Sequence, residues 1–159
     1  CRKKGHIRKD CPGFKSWLDK KGNTQCFVSY ESLLVDVPPN SWWIDTGASI
    51  HITNSLQGYL TSRKLNKGER TITVGNGIEV DAEAIGTLRL ILDSSFILDL
   101  VNTVYVPVFT RNLITVSQLD SYGYEFKFGN NRVSLFHNSH MNGSGTIYGN
   151  LNSMNLDST

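Results

Sequence analysis

The chain predicts an all-β body with one short helix, and three observations carry that expectation. From Ser41 onward, short apolar or alternating stretches are separated by Gly, Asn, Asp and Ser, the punctuation of brief strands. Two separators, Gly75-Asn76-Gly77 and Gly129-Asn130-Asn131, suit hairpin turns, because Gly and Asn accept positive φ at little cost. Thr115 to Tyr122 is the best helical stretch, with Val116 and Leu119 three apart and Gly123 positioned to cap its carboxyl end. With 159 residues, 39% of them hydrophobic, the chain can bury one modest core.

Taken in order, residues 1–15 are basic and hold Cys1, His6 and Cys11. Residues 16–39 lack sustained periodicity and close on Pro38-Pro39-Asn40, which continues neither a helix nor a central strand; this stretch reads as a linker. Next, Trp42-Trp43-Ile44 drives into Asp45-Thr46-Gly47-Ala48-Ser49, and Ile50-His51-Ile52-Thr53 alternates again like a strand. The pattern puts one carboxylate on a tight turn at the end of a buried strand, suited to work on a proton. Thr71 to Val74 and Ile78 to Val80 flank the first hairpin signal. Ala84 to Leu92 and Phe96 to Val106 are β-rich runs joined at Asp93-Ser94-Ser95, and Leu113-Ile114 is a short apolar strand before the helix. Tyr124 to Phe128 and Arg132 to Phe136 pair across the second turn. The sheet is expected to be partly closed and barrel-like. No internal repeat occurs, so Asp-Thr-Gly appears once.

The formal net charge of +2 hides an asymmetry. Residues 1–22 hold eight Lys/Arg against Asp10 and Asp19; the rest of the chain holds eight basic and twelve acidic groups. Any polyanion contact is therefore expected from the basic arm. Three cysteines, all near the start, do not form a disulfide framework and suit a reducing intracellular setting. The longest apolar runs are interrupted by Arg89 and Asp99 and are too short to span a bilayer, so no membrane partner is expected. The chain starts at Cys1 without a charged-then-apolar leader and is read as a piece of a longer polypeptide.

An ordered set of residues resembles the protease region of copia-type long-terminal-repeat retrotransposon Gag-Pol polyproteins. It comprises a basic Cys/His box, then Trp43-Ile44-Asp45-Thr46-Gly47-Ala48 with His51, then Val74-Gly75-Asn76-Gly77 and Ile85-Gly86. Val104-Tyr105-Val106-Pro107 follows, then Asn112-Leu113-Ile114 with Val116, Gln118 and Leu119, and finally Gly145-Thr146-Ile147-Tyr148. The resemblance implies a retroviral-type aspartic protease over residues 40–140, followed by 141–159 as the start of the segment leading to the integrase region. It also implies an enzyme of the cytoplasm, in virus-like particles. Thr115 stands where retroviral enzymes commonly have Gly after the apolar pair.

Peptide hydrolysis by this route needs two carboxylates sharing one proton. One chain supplies only Asp45, so the resemblance implies a homodimer with the site on its two-fold axis. It assigns Thr46 a bracing hydroxyl and Gly47 a tight turn, with Ala48 completing the loop. It makes Val74-Gly75-Asn76-Gly77 a flap over an extended polyprotein peptide; proteolysis requires no cofactor. His51 is expected to pack near the turn without taking part.

In the amino-terminal box, four residues separate Cys1 from His6 and four separate His6 from Cys11, the spacing of the last three ligands of a CCHC zinc knuckle. Zinc is the metal such an incomplete site would take. In the full polyprotein the box would bind RNA, with Arg2, Lys3, Lys4, Arg8 and Lys9 on phosphates. Two other readings remain open at this point: an inactive retrotransposon-derived fragment that binds RNA through the box, and a dimerising β domain in which Asp45 is only a turn residue.

Overall fold

The computed structural model describes residues 24–25, 40–74, 77–148 and 151–157. Trp42, Trp43 and Ile44 have no polar residue among them, and the strand they open, β2 (Trp42–Asp45), is buried on both faces. Successive strand side chains point to opposite sides. Trp42 and Ile44 therefore join one buried cluster, with Leu88, Leu98, Leu100, Ile114 and Leu135. Trp43 enters the other, with Ile50, Ile52, Ile72, Val104 and Leu113. Strand β9 (Asn112–Thr115) divides Leu113 and Ile114 between the clusters in the same way, and all four of its residues are buried. β2 and β9 run parallel and in register, Trp43 beside Leu113 and Asp45 beside Thr115. Each Leu or Ile so buried contributes roughly 1.5–3 kcal/mol relative to exposure, so these four-residue strands are held by packing rather than by length.

Ten strands form one sheet around this pair. Its order is β10 (Tyr124–Gly129), β11 (Arg132–His137), β12 (His140–Tyr148), β13 (Leu151–Met154), β2, β9, β3 (Ile52–Thr53), β8 (Ile97–Tyr105), β7 (Ala84–Ile91) and β4 (Tyr59–Lys64). A second, three-stranded sheet holds β1 (Thr24–Gln25), β5 (Thr71–Thr73) and β6 (Glu79–Asp81). Thr24 and Gln25, inside the stretch expected to be linker, pair in parallel with Ile72 and Thr73. The helix α1 (Val116–Ser121) follows β9 directly, and Gly123 takes a positive φ of 81° after it.

The turns follow their local chemistry. Asn130 and Asn131 both have positive φ (51° and 56°), the two-residue loop that matches strand twist. Gly129, expected in that turn, instead ends β10 opposite Arg132. At the β5–β6 tip the Val74 amide donates to the Ile78 carbonyl and the Gly77 amide to the Val74 carbonyl, both at 2.8 Å, with Gly77 at φ +84°. Gly75 and Asn76 lie outside the described residues.

Three strands have no clear periodic signature: β4, β12 and β13. β12 carries Gly143 and Gly145 because its neighbours come too close for a side chain. A Cβ at Gly145 would overlap the Ser153 carbonyl and the Val133 side chain. The sheet therefore runs on past position 140, and β13 pairs antiparallel with β2. The alternation expected over Ile50 to Thr53 is absent. All four residues are buried, because β3 lies between β9 and β8.

The sheet is not closed into a barrel. Its outer strands, β4 and β10, do not pair with each other. β4 exposes Arg63 and Lys64, β10 exposes Glu125 and Lys127, and β4 pairs with β7 through an irregular register near Tyr59, features that blunt a sheet edge. One isolated antiparallel bridge, Leu92 to Leu156, curls the chain after β7 onto the chain after β13. Among the described residues no helix is long and apolar enough to cross a membrane.

Candidate active site

At the end of β2 burial falls away along the chain: Ile44 is buried, Asp45 half-buried, and Thr46 and Gly47 exposed. Burial returns at Ala48 and Ile50. The loop thus leaves the core at the carboxylate and re-enters three residues later. Asp45 Oδ1 accepts the Gly47 amide at 2.7 Å, a short charge-assisted bond that closes the turn. Asp45 is the only acidic residue between Ser41 and Gly68, so no near neighbour in sequence supplies a second carboxylate. Its register partner across the parallel pair is Thr115.

Thr115, the residue that departs from the expected Gly, is fully buried, and its hydroxyl donates to the Ala48 carbonyl. That hydroxyl has one proton, so the contact of 2.9 Å between Thr115 Oγ1 and Ser117 Oγ makes Ser117 the donor there. Ser117 also lies 3.4 Å from the Ala48 carbonyl. Thr115 is the N-cap of α1 and makes no side-chain capping bond. The hydroxyl that would ordinarily cap a helix, at a value of about 1 kcal/mol, holds the Asp45 loop instead. Gln118 Nε2 donates to the Ser49 carbonyl at 3.2 Å.

His51 completes the grip. It is buried at 1% exposure, and its Nδ1 lies 3.1 Å from the Thr115 amide nitrogen, which donates to it. Nδ1 therefore carries no proton, and the ring proton is on Nε2. Burial pushes the imidazole pKa down to about 4, so His51 is uncharged near neutrality. The expectation that His51 packs near the turn is met in position, but its bond to Thr115 was not legible in sequence. What could have pointed to it is the run of polar residues Thr115, Ser117 and Gln118 at an otherwise apolar strand–helix junction.

The remaining expected site residues divide clearly. Val74, at the turn end of the β5–β6 hairpin, is buried in the same cluster as Trp43, Ala48 and Ile50, so the hairpin shares a core with the Asp45 loop. Gly77 is at the tip of that hairpin. Cys1, His6 and Cys11 lie outside the described residues, and among the described residues no three His, Cys, Asp or Glu side chains group to hold a metal. An open groove of about 450 Å³, lined by Asn40, Trp42, Gln57 and Asn112 among others, sits at the opposite end of β2 from Asp45.

The family described as "Pol polyprotein, beta-barrel domain" matches residues 42–124, from the start of β2 through the Asp45 loop, the hairpin and α1. The Retrovirus-related Pol polyprotein from transposon RE2 of Arabidopsis thaliana is 31% identical over 75% of this chain and 9% of its own length. The Retrovirus-related Pol polyprotein from transposon TNT 1-94 of Nicotiana tabacum is 27% identical over 99% of this chain and 13% of its own. The chain thus spans about a tenth of the length of these curated relatives. No solved structure matches it significantly. The family match spans Asp45 and its loop together with the apolar strand and short helix beside them, and the chain belongs to the β-barrel domain family of copia-type retrotransposon Pol polyproteins.

Proposed function

We propose that this region is the aspartic endopeptidase of its polyprotein, acting on its own Gag-Pol chain as a homodimer. The observation that carries the reading is the seat of Asp45: a half-buried carboxylate at the end of a doubly buried strand, closed by the Gly47 amide and flanked by exposed Thr46 and Gly47. Two copies related by a two-fold axis would bring two such carboxylates together. Like charges a few ångströms apart do not both ionise, so the pair shares a proton and titrates as a unit. The ionised carboxylate takes a proton from a bound water as the water oxygen bonds the scissile carbon. The protonated partner hydrogen-bonds the carbonyl oxygen. The tetrahedral species then collapses, the C–N bond breaking as the nitrogen is protonated. The β5–β6 hairpin, with Gly77 at its tip, closes over the extended peptide and excludes water.

The test is the longer polyprotein expressed with Asp45 or with Asp45→Asn. Processing that stops in the variant supports the reading; identical fragments from both would defeat it. A second reading, nucleic-acid binding by an inactive fragment, draws on the eight Lys/Arg of residues 1–22 and the Cys1, His6 and Cys11 spacing. It calls for zinc and RNA binding that weaken together on Cys11→Ser and for affinity that falls steeply with salt. The particle-associated, cytoplasmic setting belongs to the first reading.

A further inference from the structure

We propose that His51 is a positioning residue for Asp45: its uncharged imidazole holds the Thr115 amide and thereby sets the Asp45 loop against the start of α1. The proposal rests on the aspartic-protease reading of Asp45. Among the described residues His51 is the one buried ionisable side chain, and an apolar residue would fill the same space at lower desolvation cost. What an apolar residue lacks is an acceptor. The Thr115 amide sits in the buried strand–helix junction and bonds His51 Nδ1 at 3.1 Å. Without that acceptor the amide would be buried unpaired.

The contact closes a frame. Between Asp45 and His51 the loop is tied at Gly47 by the carboxylate itself, at Ala48 by Thr115, which Ser117 backs, and at Ser49 by Gln118. His51 is the last tie, and in it a side chain on the loop's side accepts a backbone N–H from the start of α1. Paired-carboxylate chemistry tolerates little displacement, because both groups must reach one water and one carbonyl. Protonation would put an N–H on Nδ1 facing the Thr115 N–H and open the tie. The ionisable groups on the surrounding elements are Asp45 on the loop, Asp99 and Tyr105 on β8 and Asp120 on α1, and burial rather than any of these charges keeps the imidazole neutral.

The test uses the full chain, with ring-nitrogen NMR of His51, amide exchange at Thr115, and peptide hydrolysis by the parent, His51→Phe and His51→Asn. The parent should carry the Nε2–H tautomer at neutral pH; a proton on Nδ1 would overturn the proposal without any variant having to fold. His51→Phe should lower kcat by about tenfold or more with KM changed by less than about twofold, and should speed Thr115 exchange by about tenfold. His51→Asn, which keeps an oxygen near the Nδ1 position, should restore both to within about fivefold. A phenylalanine variant with parental kcat, or an asparagine variant as impaired as phenylalanine, counts against it. Hydrolysis that survives Asp45→Asn would sink the protease reading instead, while the tautomer and the Thr115 exchange still decide the contact.

Discussion

Asp45 and Thr115 leave the parallel strands β2 and β9 at the same level, one carrying the carboxylate and the other anchoring its loop. Thr115 acts through both of its donors, the hydroxyl on the Ala48 carbonyl and the amide on His51. The arrangement separates chemistry from support, and the two can be tested apart.

On the proposed protease reading, Asp45→Asn should abolish proteolysis, with a loss of at least about 100-fold in kcat/KM, while leaving the fold intact. Asparagine retains an oxygen for the Gly47 amide, so the turn survives. Circular dichroism and thermal melting alongside a peptide assay check both halves; a collapsed fold would show that the carboxylate charge is needed for the turn.

Thr115→Val removes the hydroxyl that donates to the Ala48 carbonyl but keeps the shape. The buried carbonyl is left with Ser117 at 3.4 Å. A loss of about 1–3 kcal/mol in urea unfolding is expected, with Thr115→Ser recovering most of it. Equal stability for Val and Ser would mean that the hydroxyl contributes nothing.

Stability should fall on mild acidification. His51 has its pKa lowered from 6.5 to about 4 in the fold, so the unfolded chain takes up a proton that the folded chain refuses. The contribution is complete above about pH 6.5, declines as the pH falls toward 4, and amounts to at most about 3 kcal/mol. Asp99 and Glu69, held low by hydrogen bonds led by Arg89 and by the Asn66 amide respectively, act below the ordinary carboxylate range. Denaturant titrations at several pH values should trace this window in the parent and lose most of it in His51→Asn.

Gly86→Ala should be among the most damaging single-methyl changes. The new Cβ would overlap the Thr61 carbonyl oxygen and come within 2.8 Å of Ser62 Cα, both backbone atoms that cannot swing aside. Gly86 sits where β7 crosses to both β4 and β8, opposite Ser62 and Thr103. A cost of roughly 3 kcal/mol or more is expected, read as a lowered urea midpoint. An unchanged midpoint would mean that β4 moves away freely.

Much of the fold could be read without coordinates, because turn chemistry is local. Asn130-Asn131 and the Gly77 tip adopt the positive φ that asparagine and glycine accept, and Val116, Leu119 and Gly123 delimit α1 as spaced. β12 was hidden because Gly145 answers to Ser153 and Val133 and Gly143 to Leu92, neighbours that only the folded sheet brings close. How far the partly closed sheet opens was not legible, because closure depends on how two charged edges meet, which no strand's own pattern encodes.

The candidate site divides in the same manner. The sequence by itself determined that an acidic turn follows a wholly apolar strand and that an apolar pair runs into a helix, since dihedral preference and periodicity act over a few residues. Only the tertiary structure decided that these two segments lie side by side, that Thr115 turns its hydroxyl from helix cap to loop anchor, and that His51 is neutral with Nδ1 as acceptor. The physical reason is separation: His51 and Thr115 stand 64 positions apart, and a hydrogen bond at that distance exists only once both clusters of the core have packed.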